Sequence, residues 1–355
     1  MVFDQLDGHE EVVFCHDRVS GLRAIVAIHN TALGPALGGT RFYPYPDEAS
    51  ALADVLHLSQ AMTYKNSLAG LDLGGGKAVI IGDPHADKTE ALLGSYARFL
   101  ESLGGRYITA GDVGTFVADL DVMARDCHYV TGRSTELGGS GDSSILTAHG
   151  VFVAMRACAR HRWGDPSLAG RRVGVSGLGK VGHRLVAQLV DEGADPVVTD
   201  VDLDVVAKVA ADHAGVEVVA STDDLLGQRL DIFSPNALGG AITDVVARTV
   251  DAAIICGGAN NQLADPLAGQ ILADRGVLYA PDFCVNAGGV IQVADELNGF
   301  SFERARSRAD LIFETTARLL ARADAEGILP VAAAQRLAQE RISAAGPPGR
   351  IWLPR

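Results

Sequence analysis

Two hydrophobic rhythms run along the chain. Up to about residue 140, short apolar runs and longer amphipathic runs are mixed; from 172 to about 290 they alternate at regular spacing. Residues 11–14 and 24–28 read as an antiparallel strand pair turning through 17–21. Residues 30–45, dense in Gly and Pro, read as a loop. Pro46 and the acids after it start a helix over 47–62, with Leu52, Val55, Leu56 and Met62 on its apolar face. A short strand at 77–81 stops at Gly82-Asp83-Pro84, 89–103 is a second amphipathic helix, and 107–109 leads into AGDVGT. Residues 131–144, rich in Gly and Ser, read as a loop or hinge. Strands are then expected at 173–176, 197–199, 216–219, 231–233, 252–256 and 277–280, with helical segments between them. That alternation predicts a parallel, doubly wound sheet. Residues 303–342 are helical in pattern, and the tail AAGPPGRIWLPR cannot be helical through its prolines. The expected divisions are an α/β domain over 1–140, a doubly wound domain over 141–325, and a helical segment over 326–355 that packs back on the first.

Size and charge narrow the picture. The chain has 355 residues, 48% of them hydrophobic, enough for two domains with separate cores. A net charge of −14 without a basic stripe argues against nucleic acid as a partner. No apolar run is long enough for a membrane span, and the acidic N-terminus lacks a signal core, so a cytoplasmic location is expected. The cysteines Cys15, Cys127, Cys158, Cys256 and Cys284 form no Cys-x-x-Cys pair and read as reduced, buried thiols. Cys127-His128 reads as packing rather than a zinc site, and His16, His29, His57, His128 and His149 show no metal-ligand spacing; no metal is expected.

The strand at 173–176 runs into Gly177-Leu178-Gly179-Lys180-Val181-Gly182, and a helix follows with Leu185, Val186, Leu189 and Val190 on the face of Val181. This is the G-x-G-x-x-G fingerprint between the strand and helix it requires. Gly177 makes the tight turn, Gly179 lets a pyrophosphate approach the helix N-terminus, and Gly182 lets helix and strand pack closely. Asp200 stands 18 residues after Gly182, at the end of the next strand. A carboxylate there accepts ribose hydroxyls and repels a 2′-phosphate, so the expected cofactor is NAD rather than NADP. The domain is therefore a Rossmann domain.

A second glycine cluster is Gly74-Gly75-Gly76, between Lys65 and Lys77. Glycines let backbone approach a ligand, and a lysine beside them can bind a carboxylate. It can act as a base only if desolvation or a second positive charge, here Lys65, favours its neutral form. A tight turn with solvated lysines is the plain alternative.

The segments GLRAIVAIHNTALGPALGGTRFYPYP, MTYKNSLAGLDLGGGKAVIIGDP, GGRYITAGDVGT, GLGKVG, GGANNQLADP and LYAPDFCVNAGGVIQVADE carry a resemblance. In this order, and from about residue 9 to 342, they resemble the glutamate/leucine/phenylalanine/valine dehydrogenase family, most closely its valine branch. The resemblance implies an N-terminal α/β catalytic and oligomerisation domain, a C-terminal Rossmann domain, and a homo-oligomer. It implies NAD-dependent oxidative deamination of a branched-chain L-amino acid to the 2-oxo acid and ammonia, with valine favoured and leucine and isoleucine secondary. By motif, Lys77 would be the catalytic lysine, Asp112 would move protons, Lys65 would hold the substrate carboxylate, and Asn261 would help bind substrate. The backbone of Leu37, Gly38 and Gly39 would line the substrate site, with Tyr43, Met62 and Val290 in or near the pocket. Ser143, Thr147, Ala237 and Asn260 would lie near the nicotinamide half, and the cleft between domains would close on the reactants. Where many members have Pro before the aspartate, this chain has Gly111.

Plain alternatives stand beside these roles. Lys65 could be a solvated helix-end lysine, Asp112 a turn residue, and Asn260-Asn261 an Asx turn; Asp282 is left unassigned. Rival functions are a phenylalanine dehydrogenase with a wider pocket, a non-catalytic NAD-binding regulator, and a 2-hydroxy-acid dehydrogenase. The last needs a His-plus-Arg constellation that the chain does not offer.

Overall fold

The computed structural model describes residues 5–6, 8–346 and 352–353. Contacts divide the chain into two compact units. The first is Met1–Ser143 with Val290–Ala305 and Ala338–Arg355; the second is Ser144–Gly289 with Arg306–Leu337.

The first unit begins with β1 (Glu11–Asp17), β2 (Leu22–Asn30), β3 (Ala36–Tyr43) and α1 (Glu48–Leu68). It continues with β4 (Gly74–Ile81), α2 (Glu90–Ser102), β5 (Tyr107–Gly111) and α3 (Val117–Met123). The five strands form one sheet in the order β1-β2-β4-β3-β5. β1, β2 and β4 pair antiparallel, whereas β3 runs parallel to both β4 and β5. β2 is apolar at nearly every position because both faces of the sheet are covered. Ile25 and Ala27, with Val79 of β4, pack on Ala51, Leu52 and Val55 of α1. Ala24, Val26 and Ile28 turn to the other face, among Phe42, Ile80, Tyr96, Leu100, Leu120 and Met123.

Two expectations are corrected here. Residues 30–45 are not a loop throughout, since 36–43 form the buried strand β3. The triple glycine is not a turn either: Gly74, Gly75 and Gly76 open the buried strand β4. The glycines serve close packing. A Cβ on Gly75 would stand 2.1 Å from the Thr63 backbone nitrogen on α1, and one on Gly76 would stand 2.7 Å from the Tyr107 ring. The helix expected over 47–62 runs on to Leu68, capped at its start by the Asp47 carboxylate, which accepts from the Ser50 amide. Met62 and Lys65 are therefore both helical.

The second unit opens with α4 (Ser144–Trp163), β6 (Arg172–Ser176), α5 (Gly182–Asp191), β7 (Asp195–Thr199), α6 (Leu203–Asp212) and β8 (Glu217–Val218). Then come α7 (Thr222–Leu226), β9 (Leu230–Pro235), α8 (Asp244–Thr249), β10 (Ala252–Ile255), α9 (Pro266–Asp274), β11 (Leu278–Tyr279) and α10 (Asp282–Val285). Helices α11 (Gly288–Asp295), α12 (Phe302–Asp310), α13 (Ile312–Glu326) and α14 (Pro330–Ala345) complete the chain. The six strands are all parallel, in the order β11-β10-β9-β6-β7-β8. That is the Rossmann arrangement, with the strand order reversing between β6 and β9. No helix among the described residues is long and apolar enough to cross a membrane.

The observed division differs from the expected boundaries at 140/141 and 325/326. Residues 290–305 join the first unit because buried Glu296 accepts the amides of Gly132 (2.7 Å) and Ser140 (2.9 Å) and pairs with Arg133 (2.7 Å). The Gly/Ser-rich segment at 131–144 is thus pinned by a buried acid. The end of α14 also belongs to the first unit. Ser67 Oγ donates to the Ala338 carbonyl, and Arg341 donates to the Leu71 carbonyl (2.6 Å) while pairing with Asp72 (2.7 Å). The tail prolines Pro347, Pro348 and Pro354 lie outside the described residues.

Candidate active site

On the first unit, β3, β4 and the end of β5 bring three charged side chains together. Lys77 extends from β4 and is buried, with its Nζ 2.8 Å from Asp112 Oδ2. Asp112 follows Gly111, the last residue of β5. Its turn is locked locally: the Asp112 amide donates to Thr115 Oγ1 (2.9 Å), and that hydroxyl lies 2.5 Å from the Thr40 carbonyl oxygen on β3. Gly111, standing where a Pro was the alternative, takes ordinary strand geometry rather than a positive φ.

Arg41, on β3, is the third charge. Its Nε donates to the same Asp112 Oδ2 (3.1 Å), and its Nη1 pairs with Asp54 of α1 (2.9 Å). Asp54 also accepts from the Tyr45 hydroxyl. Burial disfavours the ionised Asp112 carboxyl, yet the charges of Lys77 and Arg41 outweigh it and hold the group below its ordinary value. Burial likewise opposes the charge on Arg41, and the Asp112 and Asp54 carboxylates overcome it.

The glycines beside this cluster are forced by space. A Cβ on Gly38 would stand 1.8 Å from the Gly76 carbonyl oxygen and 3.3 Å from Met62 Cγ. Tyr107 donates its hydroxyl to the Gly38 carbonyl (2.7 Å) and reaches that of Gly39 (3.2 Å). Asn66 of α1, fully buried, donates to the carbonyls of Leu37 (3.0 Å) and Gly74 (2.6 Å) and so ties the helix to both strands. Lys65 is half-buried in the last turn of α1, one residue before Asn66. Tyr43 closes β3, 47% exposed, with its ring edge-on to Tyr45. Val290 is half-buried on α11.

On the second unit, the fingerprint turn and Asp200, Ala237, Asn260 and Asn261 lie past the carboxyl ends of its strands. Gly177 has φ +94°, and a Cβ there would stand 2.7 Å from the Ala237 amide nitrogen. Gly182 packs the start of α5 onto the turn, where a Cβ would meet the Gly177 carbonyl oxygen at 1.9 Å. Gly179, by contrast, is exposed with nothing within 4 Å of its Cβ direction. Leu178 is buried; Lys180 is exposed and Val181 half-buried ahead of α5. The room at Gly179 beside a helix N-terminus fits a pyrophosphate. Asp200, just past β7, accepts from the Leu178 amide (2.5 Å) and the Asp202 amide (2.9 Å), which ties the acid to the fingerprint turn. Ala237 follows β9 and is exposed.

Asn260 and Asn261, past β10, are exposed, and Asn261 is the one non-glycine residue with positive φ (51°) among the described residues. Asp282 accepts the Asn261 amide at 2.7 Å, so the residue left unassigned in the sequence braces a left-handed Asn. Asn260 Oδ1 accepts from Asn286 (2.8 Å). Thr147 sits in the first turn of α4, and Ser143 is the residue before that helix. Among the described residues, no group of three or more His, Cys, Asp or Glu could hold a metal.

The structure thus joins Lys77 to Asp112 and sets Gly38 and Gly39 against them, with Met62 beside Gly38. Asn261 stands with the second unit. Sequence reasoning missed Arg41, Asp54, Tyr45 and Asn66. One signal was available: in GGTRF, Arg41 lies two residues after Gly39, hence on the same face of a strand, once that segment is read as one.

Comparison with known proteins finds matches over most of the chain. Residues 9–129 match the model of the Glu/Leu/Phe/Val dehydrogenase dimerisation domain, and residues 138–346 match that of Glutamate/Leucine/Phenylalanine/Valine dehydrogenase. A valine dehydrogenase from Streptomyces coelicolor is 59% identical, covering 96% of this chain and 94% of its own length. A leucine dehydrogenase from Geobacillus stearothermophilus is 49% identical, covering 94% of this chain and 90% of its own. The crystal structure of an L-tryptophan dehydrogenase from Nostoc punctiforme superposes with a TM-score of 0.86 at 39% identity, covering 97% and 99% of the two chains.

Proposed function

This chain belongs to the glutamate/leucine/phenylalanine/valine dehydrogenase family, and we propose that it oxidises valine with NAD to the 2-oxo acid and ammonia. The chain is an amino-acid dehydrogenase. Valine is favoured because relatives near 60% identity are valine dehydrogenases; leucine and isoleucine, differing by a methylene, are secondary substrates.

The observation that carries the reading is the buried Lys77–Asp112 pair against the Gly38–Gly39 backbone. Lys65 is a point charge suited to the substrate carboxylate, and Asn261 offers an amide to substrate. NAD, when bound, supplies the acceptor for the Cα hydride. Lys77 then takes a proton from the water that attacks the resulting iminium carbon. Asp112, in contact with Lys77, carries protons between it and the amine. Gly177, Leu178, Gly179, Lys180, Val181 and Gly182 would hold the pyrophosphate, Asp200 the ribose, and Ser143, Thr147, Ala237 and Asn260 the nicotinamide half. Asp200 supports NAD over NADP.

A homo-oligomer is proposed from the match of residues 9–129 to a dimerisation domain. The five unpaired, buried cysteines suit the reducing cytoplasm. The test is NADH formation with a panel of L-amino acids, NAD and NADP in parallel, and Lys77→Ala as control. Turnover of valine with NAD that falls by roughly 10²–10⁴ in the variant supports the assignment. Best turnover of phenylalanine would overturn the substrate, and no turnover would overturn the reaction.

A further inference from the structure

We propose that Arg41 is a positioning residue for this reaction: it shares the Asp112 carboxylate with Lys77 and so leaves Lys77 able to release its proton. The inference rests on Lys77 acting as the base. A carboxylate 2.8 Å from an ammonium stabilises the charged lysine, which opposes base catalysis. The cluster answers that problem with a second cation on the same oxygen. Arg41 Nε lies 3.1 Å from Asp112 Oδ2, the atom that Lys77 also approaches. A guanidinium keeps its charge and cannot serve as the base, so the proton that moves is the one on Lys77.

Arg41 is itself held. Asp54 takes Nη1 at 2.9 Å, and the Tyr45 hydroxyl donates to that same Asp54 oxygen. The side chains of Arg41 and Asp54 are only 21% and 27% exposed, so this is a packed brace rather than a surface pair. The fork therefore has one orientation, with Nε aimed at Asp112 and Nη1 at α1. The charged and titratable groups linked to the Lys77–Asp112 pair are Arg41 from β3, Asp54 from α1 and Tyr45 beyond β3 by way of Arg41, and Tyr107 from β5. Tyr45 and Tyr107 are both pushed up by burial and stay neutral.

The experiment compares wild type with Arg41→Gln, Arg41→Lys and Asp54→Asn in two readouts. The first labels lysines with acetic anhydride across pH and follows the Lys77 peptide by mass spectrometry, which needs no turnover. The second is the pH profile of kcat/KM for valine. Arg41→Gln should raise the pH of half-maximal Lys77 labelling by at least half a unit. The ascending limb of kcat/KM should move the same way, and kcat should fall at least tenfold. Arg41→Lys should recover part of the labelling shift, because it restores charge without the fork, and Asp54→Asn should shift labelling in the same direction by less. Unchanged labelling in folded Arg41→Gln overturns the proposal, as does a loss of kcat with the limb in place. Should Arg41→Gln not fold, Asp54→Asn decides by the same criterion. A wild-type enzyme without amino-acid turnover would overturn the proposed reaction, while the labelling still decides the role of Arg41.

Discussion

Gly39 and Asp112 are packed so closely that a Cβ on Gly39 would stand 2.9 Å from the Asp112 Cβ. The same atom would stand 2.5 Å from the Gly111 carbonyl oxygen. The glycine is what lets the end of β5 draw alongside β3 and present the carboxylate to Lys77. Gly39→Ala is expected to displace Asp112, and a misplacement of about 1 Å costs on the order of 10²-fold in turnover. Steady-state kinetics with a circular-dichroism check of folding test this; wild-type kcat would show that the strand end yields.

Asp112 ionises more readily in the folded protein than in the unfolded chain, where its value is the ordinary 3.8. Its contribution to stability is complete above that value and is lost as pH falls through the lower folded one. Asp112→Asn removes this part. Its unfolding free energy should therefore depend less steeply on pH below about 4 than that of wild type. Urea titrations of both proteins across that window measure the two slopes, and equal slopes would contradict the ion pair.

Asp200, proposed above to hold the ribose, accepts from the Leu178 amide of the fingerprint turn. Asp200→Ala removes a charged acceptor, a loss of about 1.5–3 kcal/mol, and with it the repulsion of a 2′-phosphate. The KM for NAD should rise about tenfold or more while NADP gains relative to NAD. An unchanged NAD/NADP ratio of kcat/KM would place cofactor discrimination elsewhere.

Glu296 has a side chain only 2% exposed and holds two amides and Arg133 of the 131–144 segment. Glu296→Ala leaves those donors buried without an acceptor, which costs about 3–5 kcal/mol. Denaturant unfolding reads that loss directly. A loss below about 1 kcal/mol would mean that water reaches the segment and satisfies its amides.

The dinucleotide half of the protein was legible because its signal is local. Gly177, Gly179 and Gly182 lie within six residues, and strand, turn and helix follow one another with no distant partner needed to recognise them. The order of the parallel strands follows from the same alternation of elements.

The first unit was legible in its residue types and not in its geometry. Lys77 and Asp112 stood out by motif, but Gly38-Gly39 fell in a stretch read as a loop, and a tight turn was the plain reading of Gly74-Gly75-Gly76. Glycine has no side chain and so carries no period-2 pattern. What makes these residues strands is the approach of Thr63, Tyr107 and Gly111, each brought from elsewhere in the chain by folding. The partnership of Arg41 with Asp112 spans 71 residues. Sequence alone determined the cofactor fold and, through the family resemblance, the reaction class, and it named Lys77 and Asp112 as candidates. Only the tertiary structure decided which charges share an oxygen, because that depends on the register of β3 between β4 and β5.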